Sequence, residues 1–233
     1  MNRIKSFTWL LTVVIVLASC KKSEFQTAPL AALKIVNAVT GGESVKMGSV
    51  ATTVAVNNNA NFMLIAGTPD IYVWPISDTT KPYFNAAKSI TVADREYYTL
   101  FLGGTVANPL GVMVKENYST YQDSIAGIRF INLSANSSPV NVTLSTSTTV
   151  HQFAGVAYGN ITDFKTYPAG PANSTYTFQV RNALTNAIIA SATMSGTSVN
   201  TFVPVFKNTT LVLRGTIGAT GTNAPSIVRV NHY

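Results

Sequence analysis

The second half of this chain restates its first half, and that constrains its fold more than any other feature. Leu33-Lys34-Ile35-Val36-Asn37 returns, 95 residues on, as Ile128-Arg129-Phe130-Ile131-Asn132: apolar, basic, apolar, apolar, Asn. Ala66-Gly67 ahead of Ile71-Tyr72-Val73-Trp74 is answered by Ala169-Gly170 ahead of Tyr176-Thr177-Phe178-Gln179-Val180. A third correspondence, at an offset of 102, carries Ser89-Ile90-Thr91-Val92 and Tyr98-Thr99-Leu100-Phe101 onto Ser191-Ala192-Thr193-Met194 and Asn200-Thr201-Phe202-Val203. Three matches in one order imply a duplicated unit of about 100 residues, the size of a small sandwich domain. Val228-Arg229-Val230-Asn231 repeats part of the opening pattern and is expected to be a final strand closing the second sheet.

Within each unit the pattern is that of short strands. Apolar residues alternate over Leu33 to Asn37, Ser49 to Val56, Asn61 to Ile65, Ile71 to Ile76, Ser89 to Val92, Tyr97 to Leu102 and Val112 to Lys115. Turn chemistry separates them at Gly41-Gly42, Asn57-Asn58-Asn59, Gly67-Thr68-Pro69-Asp70 and Gly103-Gly104. Charged residues are only 11% of the chain, and no long helix-forming run breaks the β pattern. The expected fold is all-β, two tandem antiparallel immunoglobulin-like β-sandwiches over 32–120 and 125–233, joined near Tyr118 and Tyr121. Expected core members are Ile35, Phe62, Leu64, Tyr72, Trp74, Val92, Tyr98 and Leu100, then Phe130, Val142, Leu144, Tyr176, Phe178, Val180, Phe202 and Val205.

The first nineteen residues belong to neither unit. Arg3 and Lys5 precede an apolar run from Phe7 to Leu17, followed by Ala18, Ser19 and Cys20, the order of a secretory signal. A membrane-spanning helix needs roughly 20 apolar residues, and this run is too short to remain as one. Leu17-Ala18-Ser19-Cys20 resembles the lipobox of bacterial lipoproteins, which implies that Cys20 is lipidated and becomes the new N-terminus. It is the only cysteine in the chain, so no disulfide competes for it. Residues 20–31 then read as a tether, and the expected partner is a membrane, held through lipid on Cys20. The expected location is the outer membrane, on its periplasmic or cell-surface face. Losing residues 1–19 removes Arg3 and Lys5 from 16 basic side chains and none of 9 acidic ones, which lowers the formal charge from +7 to +5. The remaining basic residues are scattered, with no stripe for nucleic acid.

The repeated opening strand with its terminal Asn, the Ala-Gly turn before a Tyr-containing strand, and the lipobox together resemble domain-of-unknown-function family 4397, secreted proteins common among Bacteroidota lipoproteins. The resemblance spans roughly residues 32 to 210. It implies an extracytoplasmic β-sandwich and brings no catalytic residue with it.

Motifs for chemistry are sparse. The two histidines, His151 and His232, lie near no Gly-x-Ser-x-Gly elbow, and neither a His-Glu-x-x-His nor an Asp-x-Asp-x-Asp-Gly pattern occurs. Gly215-x-x-Gly218-x-x-Gly221 is followed by no helical pattern and reads as a hairpin turn. No catalytic residue, metal ligand or cofactor is therefore expected. Aromatic pairs are the best pointers to binding, and Tyr83, Phe84, Tyr118 and Tyr121 lie in the less regular segments where rings are most readily exposed. Asp78-Thr79-Thr80 and Asp123-Ser124-Ile125 resemble the acceptor signal for O-glycosylation in Bacteroidota envelope proteins, which nominates Thr79 and Ser124. The expected function is a lipid-anchored envelope binding or adhesion protein that presents loops to a glycan or a protein. A structural subunit of an envelope complex, or an unrecognised hydrolase, are the alternatives.

Overall fold

The computed structural model describes residues 28–195 and 203–232, and no α-helix occurs among them. The first sandwich contains β1 (Leu30–Asn37), β2 (Val45–Met47), β3 (Thr53–Val54), β4 (Asn58–Ile65), β5 (Tyr72–Pro75), β6 (Phe84–Asn85), β7 (Tyr97–Gly104) and β8 (Pro109–Lys115). The second contains β9 (Ile125–Asn132), β10 (Val140–Leu144), β11 (Ser147–Val156), β12 (Lys165–Pro168), β13 (Tyr176–Asn182), β14 (Ile188–Met194), β15 (Asn208–Arg214) and β16 (Ser226–Asn231).

Sheet orders β4-β1-β7-β8 and β3-β2-β5-β6 in the first sandwich recur as β12-β9-β15-β16 and β11-β10-β13-β14 in the second. Raising every strand number by eight converts one into the other. Pairing is antiparallel throughout, except that β1 runs parallel to β7 and β9 parallel to β15. The all-β, tandem-sandwich expectation is met, and β16 is the final strand that the C-terminal sequence pattern indicated.

The repeated opening pattern has a physical reason. Leu33 and Ile35 point into the first core and Ala126, Ile128 and Phe130 into the second. The residues between them point the other way, where Val36, Phe101, Ile131, Leu133, Val212 and Val230 form a third core. The four sheets are thus stacked, with β4-β1-β7-β8 and β12-β9-β15-β16 packed on each other through their outer faces. Burial on both faces explains why β15 is buried at every residue. At about 1.5–3 kcal/mol per fully buried large apolar side chain, this shared core holds the two units as one body. Gly103 permits the approach, because a Cβ there would lie 2.5 Å from Leu133 Cβ.

Asn37 and Asn132, which end the repeated pattern, are fully buried and do the same work. Asn37 Nδ2 donates to the Glu43 and Val54 carbonyls, and Asn132 Nδ2 to Ser137 Oγ and the Val156 carbonyl. Each pins the end of its opening strand to the opposite sheet of its sandwich.

Four expectations are corrected. The third sequence match is out of register: Asn37 pairs with Leu102 and Asn132 with Leu213, so β7 corresponds to β15 at an offset of 111, aligning Thr99-Leu100-Phe101-Leu102 with Thr210-Leu211-Val212-Leu213. Ser89 to Val92 forms no strand beyond a bridge from Val92 to Gly67. Tyr72 and Trp74 leave the core to Ile71 and Val73, because alternation along β5 has the opposite phase. The first strand, β1, begins at Leu30, paired with Ile65, two residues ahead of the expected start of the first unit. Phe202 lies outside the described residues.

Candidate functional site

Lys34 and Arg129 hold the same position in the two repeats, and alternation turns both away from their own cores toward the partner sandwich. Each reaches the end of the other unit's last strand. Lys34 Nζ donates to the Asn231 carbonyl at 3.0 Å. Arg129 Nη2 donates to Glu116 Oε1 at 2.6 Å, between side chains that are 6% and 0% exposed.

Around that ion pair the polar groups are closely satisfied. Arg129 Nε donates to Thr210 Oγ1 at 2.9 Å, and its guanidinium lies 4.4 Å from the Phe164 ring centre. His232 is bonded on both ring nitrogens, Nε2 to Thr210 Oγ1 and Nδ1 to the Tyr118 hydroxyl, each at 2.8 Å. Burial, and then the positive charges of Arg129 and Lys34, push the His232 imidazole down to about 2. It is therefore neutral at ordinary pH. Burial, with the Glu116 charge second, holds the Tyr118 phenol above its usual range, and burial lowers the Lys34 ammonium against the opposing pull of Glu116. Both hydroxyls on His232 are taken up in the network, and His232 is 3% exposed. The arrangement fastens one sandwich to the other.

The network opens to solvent at one end. Lys34, Asn61, Met63, Tyr97 and Tyr118 line a hollow of about 200 Å³ beside it. The hollow continues onto the part of the β4-β1-β7-β8 outer face that the second sandwich leaves bare. There Leu30 is 42%, Met63 61%, Ile65 64% and Tyr97 52% exposed. Strand register makes these residues neighbours, since Leu30 lies opposite Ile65 and Ala32 lies between Met63 and Tyr97.

Among the residues nominated from sequence, only Tyr118 fronts this hollow. Tyr83 and Phe84 are corrected from exposed rings to packing residues. Tyr83 is buried in the first core, and half-buried Phe84 packs against that core and closely over Gly111. The wall of a separate polar hollow, shared with Glu43, Ser77 and Lys81, includes Tyr83. Tyr121 is a clamp: its hydroxyl donates to Asn208 Oδ1 at 3.0 Å. Thr79 and Ser124 are exposed, and their carbonyls accept bonds from the Tyr72 hydroxyl and the Ala169 amide. Cys20 lies outside the described residues. His151 is exposed, as a surface histidine. Among the described residues no three His, Cys, Asp or Glu side chains are grouped to hold a metal ion.

Sequence reasoning missed Lys34, Met63, Tyr97, Glu116, Arg129 and His232 as a group. The repeated basic residue in the opening pattern was the available signal, because a charge at a conserved phase of a two-faced strand needs a partner. Comparison with protein-family models and with curated proteins finds no match.

Proposed function

We propose that this is a lipid-anchored envelope protein that binds a partner protein on the bare half of the β4-β1-β7-β8 face. The observation that carries the reading is the contiguous exposed set Leu30, Met63, Ile65 and Tyr97 beside the hollow at Lys34 and Tyr118. Exposed apolar side chains gathered on one sheet face mark a docking surface. Three of the four are aliphatic or thioether side chains, which suit a protein surface better than stacked sugar rings. Anchoring through Cys20 at an outer membrane, on its periplasmic or cell-surface face, rests on the sequence Leu17-Ala18-Ser19-Cys20. The network at Glu116, Arg129 and His232 supports the reading by fixing the sandwiches that frame the site.

A photo-crosslinking amino acid in place of Tyr97, in the native envelope, tests this. The expected result is a discrete adduct heavier than the chain but lighter or heavier than its doublet, lost when Met63→Glu and Ile65→Glu are added. Absence of any adduct at Tyr97 refutes it. A second reading, glycan binding, is favoured by Tyr72 and Trp74 on the outer face of β5, with ring centres 5.2 Å apart. Their planes are tilted by 50°, so they offer no flat platform. Retention on a glycan array that is lost with Trp74→Ala would promote that reading over the first.

A further inference from the structure

The strands of the two sandwiches are duplicated, but two of the loops that join them are not. In the second sandwich Asn132 closes on the Ser137 hydroxyl, and the turn from β13 to β14 is tight, with Asn182 Oδ1 accepting from the amides of Leu184 and Thr185. In the first, Asn37 closes on the Glu43 carbonyl, which puts an acid where the second has a hydroxyl. The connection from β5 to β6 is also longer there, running from Ile76 to Tyr83. Together with Val106 in the turn from β7 to β8, these two loops enclose a polar hollow of about 360 Å³, within the range of small-molecule sites.

Its polar groups are held in place by the fold. Glu43 Oε1 accepts from the Ser77 amide at 2.9 Å and from the Ser77 hydroxyl, while Oε2 accepts from no described residue. Asp78 Oδ1 is taken by the Thr80 amide and hydroxyl, and Oδ2 lies 3.9 Å from Lys81 Nζ. Burial pushes the Tyr83 phenol up, so it stays a neutral hydroxyl that can donate and accept. Gly42 leaves room beside it, since a Cβ there would lie 3.2 Å from the Tyr83 hydroxyl oxygen. Pro75 and Val106 supply the apolar wall.

We propose that this hollow binds a neutral, hydroxyl-rich ring of the size of one sugar residue. Two carboxylates repel an anion, and the Lys81 ammonium beside Asp78 opposes a metal ion. Ring hydroxyls suit both signs: Glu43 Oε2 and Asp78 accept from them, Lys81 and Tyr83 donate to them, and Pro75 and Val106 cover the C–H bonds between. The site goes beyond the partner surface, because Tyr97 and Leu30 lie at one end of the strands and the hollow lies past Asn37 at the other. Residues 1–27, 196–202 and 233 all join the described chain at the Leu30 end, at the start of β1, between β14 and β15, and after β16. Residues 21–27 span at most about 25 Å, roughly the length of β1 alone, and so end short of the hollow.

The chain from Lys21 onward keeps every strand of both sandwiches. Its amide NMR spectrum is titrated with glucose, galactose, mannose, fucose, xylose and N-acetylglucosamine, each to about 100 mM, because a single ring in an open hollow is expected to bind with a millimolar dissociation constant. At least one sugar is expected to shift the amides of Gly41, Glu43, Ser77 and Lys81 saturably and to leave those of Met63 and Tyr97 in place. Glu43→Gln keeps an oxygen for Ser77 and removes the second acceptor, so it should retain the folded spectrum and lose about tenfold in affinity or more. Trp74→Ala should bind as wild type does. Absence of a shift with every sugar overturns the proposal, as does an unchanged affinity in Glu43→Gln or binding that depends on Trp74 instead. Calcium or inorganic phosphate that moves these amides where no sugar does marks an ion site and overturns it too.

Discussion

Replacing Arg129 by Met should cost more than any surface substitution in this protein. The guanidinium donates to Glu116 Oε1, the two side chains are 6% and 0% exposed, and Glu116 Oε2 has no hydrogen-bond partner among the described residues. Methionine fills a similar volume between Phe164 and Phe101 but leaves a carboxylate stranded in the interface. Removing one member of a buried ion pair costs about 3–5 kcal/mol, chiefly as the desolvation of the member left behind. For a chain of this size each kcal/mol lowers the melting temperature by about 2–4 °C, so a fall of roughly 6–20 °C is expected. The complementary variant is Arg129→Met with Glu116→Leu, which removes both charges and should return to within about 1 kcal/mol of wild type.

Urea unfolding of the chain from Lys21 onward provides the assay. Trp9 is then absent and Trp74 is the sole tryptophan, so fluorescence reports the first sandwich while circular dichroism reports both. Wild-type transitions should coincide by the two probes. In Arg129→Met they should separate, because opening the interface lets water reach Glu116 and so favours the parted sandwiches. A single variant within about 1 kcal/mol of wild type, or a double variant no more stable than the single one, refutes this account of the ion pair.

Other consequences are as direct. His232 is neutral when folded and titrates near 6.5 when unfolded, so the unfolded state binds the extra proton between these values and stability falls with pH below about 6.5. From pH 7 to pH 5 the loss is about 2 kcal/mol, at 1.36 kcal/mol per unit, and urea midpoints of His232→Gln should lack this component. Asn132→Ala leaves the Val156 carbonyl and the Ser134 amide without their buried partner and should cost about 2–3 kcal/mol in the same titration, against under 1 kcal/mol for exposed Asn160→Ala. Cys20→Ser should leave folding intact and abolish incorporation of a clickable fatty acid, and equal labelling of variant and wild type would refute lipidation at Cys20.

The repeat was legible because Leu33, Ile35, Ile128 and Phe130 must share one phase to fill their cores, and because Asn37 and Asn132 each bridge two sheets. The β7 to β15 match was lost where loop lengths differ: β10 and β11 extend further than β2 and β3, so a constant offset slides off the aligned strands. β5 was misphased because its large aromatic residues outweighed Ile71 and Val73 in a sequence reading, although the smaller residues occupy the core. The packing of the sandwiches on each other had a signal in the unbroken apolar run Leu100-Phe101-Leu102, since a strand buried on both faces loses its alternation. The network itself had only the repeated basic residue at Lys34 and Arg129 as a signal. Glu116 and His232 come from strand ends that only the pairing of the two outer faces brings beside Arg129.

That network is symmetric in position and unequal in chemistry, and the inequality bears on where the hollow lies. Lys115 pairs with Tyr98 and Asn231 with Thr209, which makes Glu116 and His232 equivalent residues following β8 and β16. Two copies of a Lys and Glu arrangement would bury four charges, each carrying a desolvation penalty. Instead, Arg129 and Glu116 form the sealed half, while the other half has a neutral His232 and a backbone carbonyl facing Lys34. Burial lowers the Lys34 ammonium against the pull of Glu116, and a charge is costly to close off from water. The Lys34 end accordingly stays half-exposed, and the hollow at Lys34 and Tyr118 lies there, alongside the bare face that carries Met63 and Tyr97.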